Sequence, residues 1–200
     1  MANPGYIDLA TGALSDGEAW IAIASDEPAG SVVNITFTSS NDGTVTDWCQ
    51  YLDLFVLIYA RSGRTGVQHE GMRSYVNDVN ATDSYAYQAY DATQTGGTVS
   101  ASSGQATDAH VGTFPGGSAD SDIFGICTIR YFDINSSKRK GMQMVNGCDL
   151  NGQGEIRTGF RTYKGQEPIT SLKYQDGLPA NFPVGTRFHL FGLLPRMVDP

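Results

Sequence analysis

The chain has 200 residues, of which 40% are hydrophobic and only 17% are charged, and 24 of them are glycine. Its formal net charge of −8 argues against general nucleic-acid binding, because an acidic surface is repelled by phosphate backbones. Its longest apolar run, residues 54–60, is far shorter than the ~20 residues that a transmembrane helix needs. We therefore expect a protein with no nucleic-acid partner and no membrane partner.

Apolar and polar residues alternate with a period of two along most of the chain, which predicts β-strands. In residues 50–61, Leu54, Val56 and Ile58 share one face while the other face is also partly apolar, a pattern typical of a central strand. In chain order, strands are predicted at 19–24, 31–37, 50–61, 72–77, 84–90, 123–132, 140–146, 155–161, 169–175 and 186–193. About ten strands separated by Gly, Asn and Asp turns predict an all-β fold, a jelly-roll-like β-sandwich with little or no helix.

Two segments depart from this rhythm. Residues 1–17 are predicted to form an N-terminal arm, and residues 18–200 a single β-sandwich domain. Within that domain, residues 91–121 are rich in Gly, Ser, Thr, Ala and Asp, which predicts a long loop with at most a short strand around 109–113. The composition of the arm and of the loop makes them the predicted contact regions for a partner.

Motifs for chemistry are scarce in this sequence. His69, His110 and His189 lie in no zinc-binding pattern, and the cysteines form no C-x-x-C pair. Residues 149–155 resemble a calcium loop only superficially, because the 12-residue spacing and flanking helices are missing. We therefore predict no catalytic residue, no cofactor and no metal site. We also expect free thiols in a protein made in a reducing cytosol.

A tyrosine-rich strand and one basic cluster are the remaining candidates for recognition. The tyrosines either form a surface that binds a sugar or a protein, or simply cover a sheet face. The basic cluster at residues 138–140 is expected in a hairpin turn. The predicted partner contacts are Tyr6, Tyr85, Tyr87, Tyr90, Phe114 and Arg139.

Several motifs occur in an order that resembles a family of small virion proteins of tailed bacteriophages. The segment Leu-Asp-Leu-Phe-Val-Leu-Ile-Tyr-Ala-Arg-Ser at 52–62 precedes an Asn/Asp-rich turn at 77–85, and residues 169–193 resemble the family's final hairpin. The resemblance spans residues 18–193. It fails at 81–94, where an expected glycine-rich turn is absent, and the segment 91–121 is particular to this chain.

The resemblance implies a jelly-roll or similar β-sandwich without cofactor or catalytic residues, located in the virion. We expect a capsid decoration (cement) protein, a homotrimer that binds the major capsid protein and stabilises the head. The alternative is a tail or baseplate component that recognises a host surface glycan or protein. A third hypothesis, a sandwich-fold glycan hydrolase, lacks a carboxylate pair that the sequence order can name.

Overall fold

Twelve β-strands and one short 3₁₀ helix make up the part of the chain that the computed structural model describes, residues 20–93, 98–150, 154–178 and 180–194. The 3₁₀ helix, Trp48–Gln50, begins after Asp47, whose side chain accepts a hydrogen bond from the Cys49 amide. The strands are β1 (Trp20–Asp26), β2 (Asn34–Thr38), β3 (Asp53–Ala60), β4 (His69–Val76), β5 (Tyr85–Thr93), β6 (Thr98–Ala106), β7 (Ala109–Pro115), β8 (Gly125–Tyr131), β9 (Lys140–Cys148), β10 (Glu155–Tyr163), β11 (Ser171–Asp176) and β12 (Arg187–Leu193). The prediction of an all-β sandwich is confirmed.

The strands form two antiparallel sheets. The large sheet has eight strands in the order β1-β12-β3-β8-β9-β10-β5-β6, and the small sheet has four in the order β2-β11-β4-β7. Without β5, β6, β9 and β10, the chain crosses between the sheets at every step except the hairpin from β4 to β7. This is the wiring of a jelly roll, and the four remaining strands extend the large sheet beyond β8.

The prediction of a long loop at 91–121 is wrong, although the short strand that it allowed around 109–113 is present as β7. β5 continues to Thr93, and both β6 and β7 lie within the segment. Alternation could not identify β6, because its Ser, Ala and Gly side chains give almost no apolar period. It is a strand because β5 pairs with it in unbroken register from Thr98 to Ala106. The predicted arm at 1–17 lies outside the described residues.

Apolar side chains from the facing surfaces of the two sheets form the core. Leu54, Val56 and Ile58 of β3 are fully buried there, as the sequence pattern predicted. Cys127 and Cys148 are buried free thiols and Cys49 is an exposed one. Among the described residues, no helix is long and apolar enough to cross a membrane.

Candidate interaction surface

The large sheet turns one face toward the core and the other toward solvent, and we call the second the outer face. On β10 the usual arrangement is reversed, because Ile156 and Phe160 point outward while Arg157 and Arg161 point inward. Ile156 is 63% exposed and Phe160 is 47% exposed. A strand that exposes its apolar residues and buries its arginines differs from the ordinary pattern of a half-buried strand.

The exposed apolar residues of the outer face adjoin one another through the sheet register. Tyr59 pairs with Ile126, and Ile126 and Ile156 both pair with Gly147. Ile156 is followed across the sheet by Ala92 and then by Val99, which is 73% exposed. The outer apolar band, as we name this group, consists of Tyr59, Tyr90, Val99, Ile126, Val145, Ile156 and Phe160. Scattered exposed apolar residues are normal, whereas a contiguous group marks an interaction surface.

Charged groups are nearly absent from the same face. Among the outward-facing described residues of β8, β9, β10, β5 and β6, the charged side chain is Arg130. Its guanidinium binds Asp53 Oδ2 at 2.6 Å and lies 4.7 Å from the centre of the Phe132 ring. In a chain of net charge −8, a broad face with so little charge has the composition of an interface core.

Aromatic side chains border the band on the side of β1 and β12. Trp20 packs edge-on against Phe55, with ring centres 4.7 Å apart. Tyr59 stacks on Phe124, with ring centres also 4.7 Å apart. The second pair lines a shallow, mainly apolar depression of about 540 Å³, into which Arg187 and His189 also project.

Two of the predicted contact residues lie at the surface. Tyr90 is part of the outer apolar band and is 63% exposed. Arg139 lies exposed in the connection between β8 and β9. Tyr87 lies on the opposite face, half-buried beneath the Arg161 guanidinium, which is 4.6 Å from its ring centre. Tyr6 lies outside the described residues.

The structure contradicts two predicted contacts. Tyr85 and Phe114 are core residues with almost no exposed surface, so their side chains offer a partner nothing to touch. The Tyr85 hydroxyl accepts a hydrogen bond from the Val76 amide at 2.8 Å and donates one to the Val79 carbonyl at 3.1 Å. Phe114 belongs to β7, which packs against β8 and β9 and is not part of a loop.

A second site, which is polar, lies on the inner side of the sheet extension, where β10 and β5 meet the edge strand β7. Arg157 forms ion pairs with Asp91 and, at 3.5 Å, with Glu155. The same guanidinium contacts the imidazole of His110. Glu155 also accepts a hydrogen bond from Thr113 Oγ1 at 2.9 Å. We call this group the polar cluster. Every charge named in it has an opposite charge or a hydrogen-bond donor within the chain.

The environment of the polar cluster shifts the pKa of His110 and that of Arg161, which lies beside the cluster on β10. Burial, followed by the positive charges of Arg157 and Arg161, lowers the pKa of His110 from 6.5 to about 4. Burial and the neighbouring Arg157 lower the pKa of Arg161 to about 10. His110 is therefore neutral at pH 7 and accepts a hydrogen bond from Arg157, while Arg161 stays charged.

A cleft of about 540 Å³ opens beside the polar cluster. Its charged lining includes Arg64, which pairs with Glu70, and Arg73, which lies 3.6 Å from Asp108. No group of three or more His, Cys, Asp or Glu side chains suited to a metal ion occurs in the described ranges. Residues 151–153, within the superficial calcium-loop resemblance, lie outside those ranges.

Comparison with known proteins found no matching family model, no similar curated protein and no similar solved structure.

The outer apolar band was missed by sequence reasoning. The alternation of Ile156 and Phe160 with Arg157 and Arg161 was visible in the sequence. Alternation alone cannot tell which face is covered by the second sheet.

Proposed function

We propose that the chain is a non-enzymatic structural protein of a bacteriophage particle, which docks through the outer face of its large sheet on the major capsid protein. The observation that carries this proposal is the outer apolar band, a contiguous and nearly uncharged surface on an otherwise acidic chain. Covering such a surface removes apolar area from water and requires few charged side chains to lose their hydration.

The jelly-roll wiring supports a place in the capsid. Jelly rolls are recurrent in viral capsid proteins and in lectins, and the sequence resembles small virion proteins. An open sheet face eight strands wide suits a broad protein surface better than a small ligand, because ligand sites are concave. Many copies seated on a repeating shell would add their individual contacts through multivalency.

Counting the copies per particle tests this proposal directly. Quantitative mass spectrometry of purified particles would compare the amount of this chain with that of the major capsid protein. We expect a ratio near one copy per capsid subunit. A few to a few dozen copies per particle would contradict the capsid role and favour the tail, and absence from purified particles would overturn both.

The cleft beside the polar cluster favours a second candidate, a tail or baseplate component that recognises a host surface glycan or protein. Sugar sites use several convergent polar groups in a concave pocket, and Arg73 and Asp108 are such groups in the lining of this cleft. Binding of the isolated chain to a glycan array would test it. This candidate predicts that Arg73→Ala abolishes the signal, whereas Ile156→Lys on the outer face preserves it.

A further inference from the structure

The two sheets have four edge strands, and three of them carry features that discourage pairing with another chain. β2 is only five residues long. β1 has a register shift between Ala22 and Ala24, which interrupts its ladder. The β4–β7 ladder is likewise shifted, between Met72 and Arg73, and β7 ends at Pro115. Short strands, bulges and proline are the usual means of protecting a sheet edge.

β6 is the exception among these edges. It is nine residues long, from Thr98 to Ala106, and contains no charged residue and no proline. Its register with β5 is unbroken, so its backbone is straight enough to receive another strand. Residues 99–105 are exposed, and no strand in the described ranges pairs with the far side of β6. Roughly half of its backbone N–H and C=O groups point away from β5, as antiparallel geometry requires.

We propose that β6 pairs antiparallel with β6 of a second copy of this chain, around a two-fold axis at Ser102. In that register Ser102 lies opposite Ser102 of the other copy, Ala101 opposite Ser103, and Ser100 opposite Gly104. These side chains are small and uncharged, so the dyad brings no like charges together and nothing bulky into contact. A two-fold contact uses the same patch on both subunits, which a central serine permits.

The second copy is a better occupant than an unrelated strand because of what the pairing does to the outer face. Directly opposed residues of antiparallel strands point to the same face of the sheet. The two outer apolar bands therefore adjoin on one side, with Val99 of each copy near the junction. A two-fold contact predicts a dimer, whereas the sequence led us to expect a trimer. The pairing does not depend on what the outer face binds.

The first test is the molecular mass of the full chain in solution, measured by light scattering after size-exclusion chromatography. We expect a dimer for the wild type and for the matched control Ser102→Thr. Ser102→Lys places two like charges across the axis, which should weaken association about tenfold or more. A monomeric wild type, or a Ser102→Lys chain that dimerises as tightly as the wild type, would overturn the proposal.

Two variants of opposite charge distinguish a loss of strand pairing from a folding defect. Ser102→Lys and Ser102→Glu should each self-associate about tenfold or more weakly than the wild type, with circular dichroism spectra like that of the wild type. A mixture of the two should form a heterodimer, because opposite charges now meet at the axis. Failure of the mixture to associate would contradict pairing at Ser102.

Cross-linking tests the register itself. Opposed Cα atoms of antiparallel strands lie about 4.5–5.5 Å apart, a separation that a disulfide spans. In a Cys49→Ser background, Ser102→Cys should give a covalent dimer when the thiols are oxidised with diamide. Gln105→Cys is the matched control, because the two copies of position 105 would lie about 20 Å apart, at 3.4 Å per residue. A dimer that cross-links equally at both positions, or only at 105, would overturn the register.

Discussion

The two faces of strand β10 have opposite environments, because charged side chains point inward and apolar side chains point to solvent. Its inner face holds Arg157 in the polar cluster and buries Arg161 beside it, whereas its outer face exposes Ile156 and Phe160 to solvent. Arg157 is paired with Asp91 and Glu155, because an unpaired buried charge would be very costly. Arg161 instead donates to the His110 carbonyl at 3.0 Å and lies over the Tyr87 ring, and its Nη1 has no hydrogen-bond partner among the described residues. The ring of Phe160 lies 6.5 Å from that of Phe132, yet Phe160 stays 47% exposed and Ile156 stays 63% exposed. The ion pairs of the polar cluster therefore form within one chain, whereas the outer face is the surface that we propose a partner covers.

Removal of Arg157 should have the largest effect on stability. Arg157→Met leaves the buried Asp91 and the half-buried Glu155 without their cation, and breaking a buried pair from one side costs about 3–5 kcal/mol. Urea denaturation would measure this loss in the free energy of unfolding. The control is Arg187→Met, which breaks an exposed ion pair with Glu27 and should cost at most about 1 kcal/mol. Equal losses in the two variants would show that the ion pairs of Arg157 stabilise the fold no more than an exposed pair does.

The pH dependence of stability should reveal His110. Its pKa falls from 6.5 to about 4 on folding, so between those values the unfolded chain binds a proton that the folded chain does not. Stability from this group is therefore full above pH 6.5 and is lost as the pH falls toward 4, by about 3 kcal/mol in total. The charged groups around the imidazole are Arg157 and Arg161 from β10 and Asp91 from β5.

Urea denaturation between pH 7 and pH 4 would test this expectation. The carboxylates of the chain also titrate in this range, so the informative quantity is the difference between the wild type and His110→Asn, which cannot titrate. The variant should lose less stability over the range. Parallel profiles for the two proteins would contradict a buried neutral His110.

Asn146 should have an intermediate effect, because its side chain joins the two sheets. Its Oδ1 accepts a hydrogen bond from the Thr113 amide at 2.9 Å, and its Nδ2 donates to the Ile126 carbonyl at 3.1 Å. Asn146→Ala leaves the buried Thr113 amide without a partner, at a cost of about 1–3 kcal/mol by urea denaturation. Gln143→Ala, on the exposed face of the same strand, is the control and should change stability by no more than about 0.5 kcal/mol. Similar losses at both positions would refute the bridging role.

The outer face should show the smallest effect on stability. Ile156→Ser removes a side chain that is 63% exposed, and surface changes of this kind stay within about 0.5 kcal/mol. Ile129→Ser on the core side of β8 is the comparison, and it should be at least as costly as the removal of a buried aliphatic side chain, about 2–5 kcal/mol. A large loss for Ile156→Ser would mean that the outer face is needed for folding and would weaken its assignment as an interface.

Much of the fold could be predicted from sequence because most strands carry an alternating apolar pattern. Residues 50–61 gave β3 in this way, since one face of that strand meets the core. β6 could not be predicted in this way, because its small polar side chains show no alternation of apolar and polar residues. It is a strand because its backbone pairs with that of β5. The number of strands and the turns predicted a jelly-roll-like sandwich as a fold class. They did not predict the extension of the large sheet by β9, β10, β5 and β6.

The predicted contacts fared unevenly for a similar reason. Tyr85 and Tyr87 are two residues apart and share a face, whereas Tyr90 falls on the other face by the parity of the strand. Sequence spacing therefore separated Tyr90 from the other two, but which of the faces is covered depends on the second sheet. Phe114 was assigned to a partner contact because it lies in the segment 91–121, which was predicted to be a long loop with at most a short strand around 109–113. Its burial follows from tertiary packing, which a local pattern does not contain.

Cosedimentation with capsids tests most directly whether the outer face is the docking surface. Capsids assembled without this protein would be mixed with the purified wild-type chain or with Ile156→Lys, and the bound fraction would be measured after pelleting. We expect saturable binding of the wild type and at least tenfold weaker binding of the variant, because a lysine at the centre of a desolvated contact is costly. Equal binding of the two proteins, or no binding of the wild type, would contradict this expectation.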